Sequence, residues 1–374
     1  MSRPRRTARR PRERAERGPS HVGERFEAEV GPVAHGGHCV VRHDGRVVFV
    51  RHALPGERVV VEVTEGRDGD RFWRGDAVSV VSPSADRVTA PCPYAGPGLC
   101  GGCDFQHVSP AGQRALKTAV VREQLTRLAG LDLDVEVEEV PPLLRWRTRM
   151  RYVALPEGRR GLHVHRSDEV VEIEDCLIDA GTPDRPAETV TTAYGSHDFA
   201  VDPDGFWQSH LEAPRLLVET VLSLLEPRPG ERVLDLYAGV GLFAAFLADA
   251  VGPTGRVVAV EGSRAACRDA RANLPSSVTV EHGPVERVLA AAYDEPFDLV
   301  VLDPPREGAR RAVVEQIADR APRAVAYVAC DPAALARDLA TFASLGYGLR
   351  TLRAFDLFPM THHVECVALV ERGR

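Results

Sequence analysis

From about residue 206 to the end of the chain, short apolar runs alternate with segments of helical apolar spacing. V-L-D-L-Y (233–237) leads into A-G-V-G-L-F-A-A-F-L-A-D-A, and V-V-A-V-E (257–261) into S-R-A-A-C-R-D-A-R-A-N-L. F-D-L-V-V-L-D (297–303) precedes a helix near 309–320, A-V-A-Y-V-A-C (324–330) precedes A-A-L-A-R-D-L-A-T-F-A-S-L, and two further strands close the chain. Parallel strands need long crossovers, and helices lying on both faces of one sheet supply them. The pattern therefore predicts an α/β fold with a doubly wound, mostly parallel sheet.

The residues before it read differently. R-V-V-F-V-R (46–51), R-V-V-V-E-V (58–63) and D-A-V-S-V-V (76–81) are strand-like and separated by L-P-G-E and G-R-D-G-D breakers. About five short strands in residues 23–83 suggest a small β-barrel of the oligonucleotide-binding sort. Residues 84–205 form a central α+β region, with a helix expected over 111–130 that ends at Gly130. Residues 1–22 hold eight arginines against Glu13 and Glu16, a charge of +6, which leaves −13 on residues 23–374 of a chain at −7 overall. Such a tail cannot bury a core and is expected to be disordered, either attracting polyanions or simply solubilising. No apolar stretch approaches the ~18 residues of a membrane span, and the N-terminus lacks the apolar core of a secretory signal. A cytoplasmic monomer without a membrane partner is expected, in which eight cysteines do not form a disulfide framework.

D-L-Y-A-G-V-G-L-F-A (235–244) joins a strand to a helix, and its glycines let the backbone turn tightly and approach a ligand. Glu261 ends the next strand at the usual reach for a carboxylate that binds ribose hydroxyls. Alone, this fits NAD or S-adenosylmethionine equally. L-D-P-P (302–305) adds an acid and two prolines at a strand's carboxyl end, a rigid polar lip typical of class I S-adenosylmethionine-dependent methyltransferases. Base-nitrogen methyltransferases place an aromatic after a similar motif, whereas Arg306 stands here.

Carbon 5 of uracil attacks a sulfonium methyl only after a thiolate has added to carbon 6, and a base must later remove the carbon-5 proton. Y-V-A-C-D-P (327–332) puts Cys330 at a strand end beside a helix start, with Asp331 as N-cap and Pro332 as first helical residue. The helix dipole favours the thiolate and the Asp331 charge opposes it. Glu365 interrupts the apolar last strand, where alternation groups it with His363 and Val367; a buried carboxylate there suits a proton acceptor. Cys39, Cys267 and Cys366 are expected to pack in cores.

C-P-Y-A-G-P-G-L-C-G-G-C contains Cys92, Cys100 and Cys103, and Cys176 stands in V-E-I-E-D-C-L-I. Four thiolates suit an iron–sulfur cluster or a structural zinc. R-W-R-T-R-M-R-Y (145–152) alternates, so as a strand it would present Arg145, Arg147, Arg149 and Arg151 on one face to phosphates, or form a charged edge strand. Phe72 and Trp73 would stack on bases or fill the barrel.

These motifs together resemble the bacterial RNA (uracil-5-)-methyltransferase family, over residues 22–374. The resemblance implies an N-terminal TRAM domain, carried by H-G-G-H-C-V-V-R and A-L-P-G-E-R-V, and a [4Fe–4S] cluster on Cys92, Cys100, Cys103 and Cys176, carried by C-G-G-C-D-F-Q-H. It implies S-adenosylmethionine contacts from Gln208 of F-W-Q-S-H, Tyr237, Gly239, Glu261 and Asp303. It implies Cys330 as nucleophile and Glu365, in F-P-M-T-H-H-V-E, as base. Leu242, Pro284 and His210 stand where the family often has asparagine. The expected activity is methylation of carbon 5 of a uridine in RNA, ribosomal RNA in preference to transfer RNA, through a covalent cysteine adduct. The alternatives are an N-methyltransferase acting on a base or protein, and a metal-clasped RNA-binding or redox-sensing protein with an inert methyltransferase half.

Overall fold

The computed structural model describes residues 18–181 and 187–373. They divide into two compact units, one of residues up to 32 with 38–84, the other of residues 33–37 with 85–374. Among the described residues, no helix is long and apolar enough to cross a membrane.

The first unit is a curled sheet in which Arg25–Glu29, Arg58–Glu65, Phe72–Ser82, Arg46–Arg51 and His38–His43 lie in that order. Phe26 on the first strand stacks on His43 at the end of the last, ring centroids 3.7 Å apart, so the sheet curls round on itself. Alternation sends Val48, Val50, Val59, Val61 and Val63 inward. Trp73 fills this interior, its indole N–H donating to the Arg67 carbonyl at 3.0 Å, so it is not a free stacking platform. Phe72 remains exposed. Of the tail, residues 1–17 lie outside the described residues. Residues 18–22 are held rather than loose: Ser20 bridges Arg67, and the His21 ring stacks on Trp73 at 4.3 Å.

The second unit is built on an eight-stranded sheet. Its order is Thr279–His282, Arg256–Glu261, Arg232–Leu236, Leu299–Leu302, Ala324–Ala329, Glu365–Arg372, Tyr347–Asp356 and Val137–Glu139. The first five strands are parallel; Glu365–Arg372 runs antiparallel to both of its neighbours. Strand order reverses beside Arg232–Leu236, the switch point outside which such sheets bind ligands. Residues 84–205 contribute directly to this body. The helix Pro110–Ala129, capped by Ser109 and ended by Gly130 in the left-handed region, buries Val121 and Leu125 in the same core as Leu234 and Leu236. Val137–Glu139 extends the sheet.

The arginine row is a correction. Residues 145–152 are not a strand, because Arg145 adopts φ +58° and Arg147 makes only isolated bridges, to Asp179 and His210. Trp146 is buried as the alternation implied. The four guanidinium groups do not form a strand's row, although Arg147, Arg149 and Arg151 border one cavity. Arg145 pairs with Asp175, and Arg149 donates to the carbonyls of Asp202, Pro203 and Gly205.

Candidate active site

Three strand ends meet at the crevice. The ladder between Ala324–Ala329 and Glu365–Arg372 ends with Ala329 opposite Cys366, so the next step along this register puts Cys330 opposite Glu365. On the other side Leu302 pairs with Tyr327, which brings Asp303 to the end of the neighbouring strand. Sequence reasoning had selected all three residues, and the sheet gathers them. Asp331 does cap the following helix: its Oδ1 accepts the Ala334 N–H at 2.7 Å, and Pro332 opens the first turn.

The electrostatics give a sign to the balance that the sequence leaves open between the helix dipole and the Asp331 charge. Cys330 is pushed up to about 12, first by burial and then by the charges of Glu365, Asp303 and Asp331, against a lowering influence from Arg306. Burial leads this rise, and the three nearby acids add to it. Glu365 is 4% exposed, its Oε1 has no protein partner, and burial together with Asp303 holds its carboxyl well above the usual range. Asp303 is pushed up to about 7, mainly by burial, although Gln208 Nε2 donates to its Oδ2 at 3.0 Å. His363 precedes the last strand rather than sharing its face. Burial and the neighbouring His362 and Arg306 push it down to about 3, so its neutral Nε2 accepts from Arg306 at 3.3 Å. A cavity of about 180 Å³ is bordered by Cys330, Asp331, Arg306, His35, His362 and His363.

The nucleotide loop lies at the same edge. Tyr237, Gly239 and Gly241 all have positive φ, at 62°, 56° and 93°. A Cβ at Gly239 would meet nothing within 4 Å, whereas one at Gly241 would strike Leu274 at 2.8 Å. One glycine leaves room for a ligand and the other lets the loop pack. Glu261 accepts from Gly239 N–H at 2.9 Å and from Ser263 N–H at 2.6 Å, and so braces the loop. Asp235 was missed, although it stands at the strand end directly before the glycines. Its Oδ2 accepts the Ala244 N–H at 2.9 Å, and its buried Oδ1 has no protein partner. A buried oxygen without a protein partner, and open space at Gly239 on the loop that follows that strand, each fit a polar ligand such as S-adenosylmethionine. Of the replaced asparagines, Leu242 is buried and Pro284 caps the helix Val285–Ala291. His210 is fully buried, accepting from Glu212 N–H at 3.0 Å and stacking on Trp146.

Two polar residues on the helix Pro110–Ala129 were also missed, one turn apart. Lys117 is fully buried and pairs with Asp356 at 2.6 Å, donating also to the Phe358 carbonyl at 3.0 Å. Gln113 accepts the Met360 N–H at 2.8 Å. Together they fix the segment that leads into Glu365.

Cys92, Cys100, Cys103 and Cys176 are free thiols lining one cavity of about 700 Å³. Burial pushes Cys103 up to about 12, with the other three cysteines adding to the shift. Among the described residues, no three metal-binding side chains converge on one point as a single ion requires. The four thiols share that cavity, and thiolates are the donor set of either an iron–sulfur cluster or a structural zinc. Cys39, Cys267 and Cys366 are buried in cores, as expected.

Comparison with known proteins accords with this geometry. A TRAM domain model matches residues 19–78, a methyltransferase small domain model residues 206–327, and a tRNA (Uracil-5-)-methyltransferase model residues 285–373. An uncharacterized RNA methyltransferase of Streptomyces avermitilis is 45% identical over 94% of this chain and 99% of its own. The 23S rRNA (uracil(1939)-C(5))-methyltransferase RlmD of Shewanella sp. is 30% identical over 91% of this chain and 94% of its own. The chain belongs to the RNA (uracil-5-)-methyltransferase family. Enzymes of this family depend on S-adenosylmethionine. The fold agrees: the Pyrococcus abyssi tRNA (uracil-54, C5)-methyltransferase, solved with S-adenosyl-L-homocysteine, superposes with a TM-score of 0.68 over 92% of this chain and 99% of that one, at 20% identity.

Proposed function

We propose that this family member methylates carbon 5 of a uridine in ribosomal RNA, in the cytoplasm, as a monomer. The observation that carries the reading is Cys330 opposite Glu365 at one ladder end, with Asp303 on the adjoining strand. The Shewanella relative, named for a ribosomal substrate and similar over nearly the whole chain, favours ribosomal over transfer RNA.

Cys330, once it has lost its proton, adds to carbon 6 of a uracil turned out of its stack; the ring's electron pair moves to the carbon-4 oxygen. Carbon 5 of this enolate takes the methyl carbon from the sulfonium, whose carbon–sulfur bond breaks with release of S-adenosylhomocysteine. Glu365, as carboxylate, removes the carbon-5 proton; the 5,6 double bond re-forms and the thiolate leaves. A carboxylate short of partners in a buried site takes up a proton readily, which suits that last step. Arg306, whose charge favours the thiolate, supports the first. In this reading Gln208, Tyr237, Gly239, Glu261 and Asp303 hold the methyl donor. Cys92, Cys100, Cys103 and Cys176 hold a [4Fe–4S] cluster whose contribution is structural, since methyl transfer moves no electrons.

Ribosomal RNA carrying 5-fluorouridine tests the mechanism, because fluorine at carbon 5 cannot leave as a proton. Wild-type protein is expected to form a denaturation-resistant conjugate through Cys330. Cys330→Ala forms none while still binding S-adenosylmethionine. Full methylation by Cys330→Ala would instead support an N-methyltransferase.

A further inference from the structure

The nucleophile is crowded by negative charge, and one neighbour of that crowd is already answered from an unexpected part of the chain. His35 belongs to the short segment 33–37 that groups with the catalytic unit. Its Nε2 lies 2.9 Å from Asp331 Oδ2, while the other oxygen of Asp331 caps the helix at Ala334. Both oxygens of Asp331 are therefore committed, one to the helix and one to the imidazole. The segment fits closely: a Cβ on Gly37, at φ +76°, would stand 2.5 Å from the Cβ of His362, so only glycine allows this approach. His362 is itself fixed by Asp104 at 2.6 Å. His35 also borders the cavity into which Cys330 and Arg306 open.

We infer that His35 is a positioning residue for the nucleophile: as an imidazolium it locks Asp331 and neutralises the carboxylate adjacent to Cys330, so that the thiol ionises more easily. This rests on the cysteine-adduct reading above.

The charges around each group give the sign. Asp331 and Glu123 favour the protonated imidazole, Arg337 opposes it, and the Asp331 hydrogen bond is the largest influence, so His35 titrates above its ordinary value. Asp331 in turn is held below the usual carboxylate range by His35, the Ala334 N–H and Arg337, against burial. Around the thiol stand Glu365, Asp303 and Asp331, with Arg306 as the opposing cation. Below its own pKa, His35 offsets the charge of Asp331. Above it, the offset is lost.

The test is the alkylation rate of Cys330 by iodoacetamide in full-length protein without RNA, read by mass spectrometry of the peptide that contains it. His35→Gln keeps a donor but not the charge, and is expected to slow alkylation about three- to tenfold near pH 6.5, as a thiol pKa rise of roughly half to one unit would. The ratio of wild type to His35→Gln should fall toward one as pH rises and the wild-type imidazole loses its charge. His35→Lys should hold the wild-type rate. Adding Asp331→Asn to His35→Ala should restore it, because asparagine still caps the helix without the charge. A His35→Gln rate equal to wild type near pH 6.5, or a deficit independent of pH, overturns the inference. The fluorouridine conjugate of the wild type is scored in parallel. Its absence would sink the adduct reading, whereas its presence with unchanged alkylation in His35→Gln sinks only the role of His35.

Discussion

Glu365 shows how the catalytic requirement and stability pull apart at a single residue. Its carboxyl is buried, has one oxygen without a partner and sits beside Asp303, so the folded protein keeps its proton well above the usual carboxylate range. The unfolded chain releases that proton near the ordinary value of about 4.3. Between those two values the native state binds more protons than the unfolded one, and stability falls as pH rises. Glu365→Gln removes this dependence. Its melting temperature is expected to gain on wild type between pH 5 and pH 8; a constant difference would mean that no buried ionisation is present. The same variant should lose turnover while retaining the covalent conjugate, because the step it removes comes after methyl transfer. The placement of Cys330 and Glu365 at strand ends was legible in the sequence, the first from the Asp331-Pro332 helix start and the second as a carboxylate in an apolar run. The balance of charge on the thiol was not, since it depends on Asp303 and Glu365 approaching from other strands.

At the scale of elements, the sheet was legible for a simple reason: buried parallel strands must be short apolar runs, and their crossovers must be helices. The reading of residues 145–152 failed because alternation records only which side chains are buried. A loop pinned by hydrogen bonds from Arg145 to Leu177 and from Arg147 to Ile178 can bury Trp146 just as a strand would. The helix Pro110–Ala129 was legible as a helix, but its purpose was not. Lys117 looks like an ordinary helical lysine until the strand Tyr347–Asp356 folds against it. Burial pulls this ammonium below its ordinary value, and Asp356 offsets the effect. Removing one partner leaves the other charged and unpaired inside the protein. Lys117→Ala is expected to cost about 3–5 kcal/mol in urea denaturation and to depress methylation, since the segment into Glu365 loses its anchor. The double variant Lys117→Met with Asp356→Leu, which leaves no orphan charge, should recover most of the stability. Equal losses in both variants would show that the pair itself, rather than an orphaned charge, carries the effect.

At the scale of the molecule, four cysteines join parts of the chain that are distant in sequence, Cys92 to Cys103 on one side and Cys176 on the other. In the structure the cavity they share is also bordered by Arg147, Arg149, Phe206 and Trp207, the last two directly preceding Gln208 in the chain. Closing a long loop through a bound group restricts the unfolded chain and stabilises the native one. A cluster that braces this region should therefore be visible in stability before it is visible in chemistry. Protein prepared without iron, and Cys103→Ser, are each expected to melt several degrees below the iron-loaded wild type, and the two losses should not add. The fraction that remains folded should still form the fluorouridine conjugate at Cys330, because no electron is required for it. Equal melting temperatures with and without iron would remove the brace. Loss of conjugate from fully folded, iron-free protein would mean that the cysteine cavity reaches into the reaction itself, by holding the RNA or by fixing Gln208.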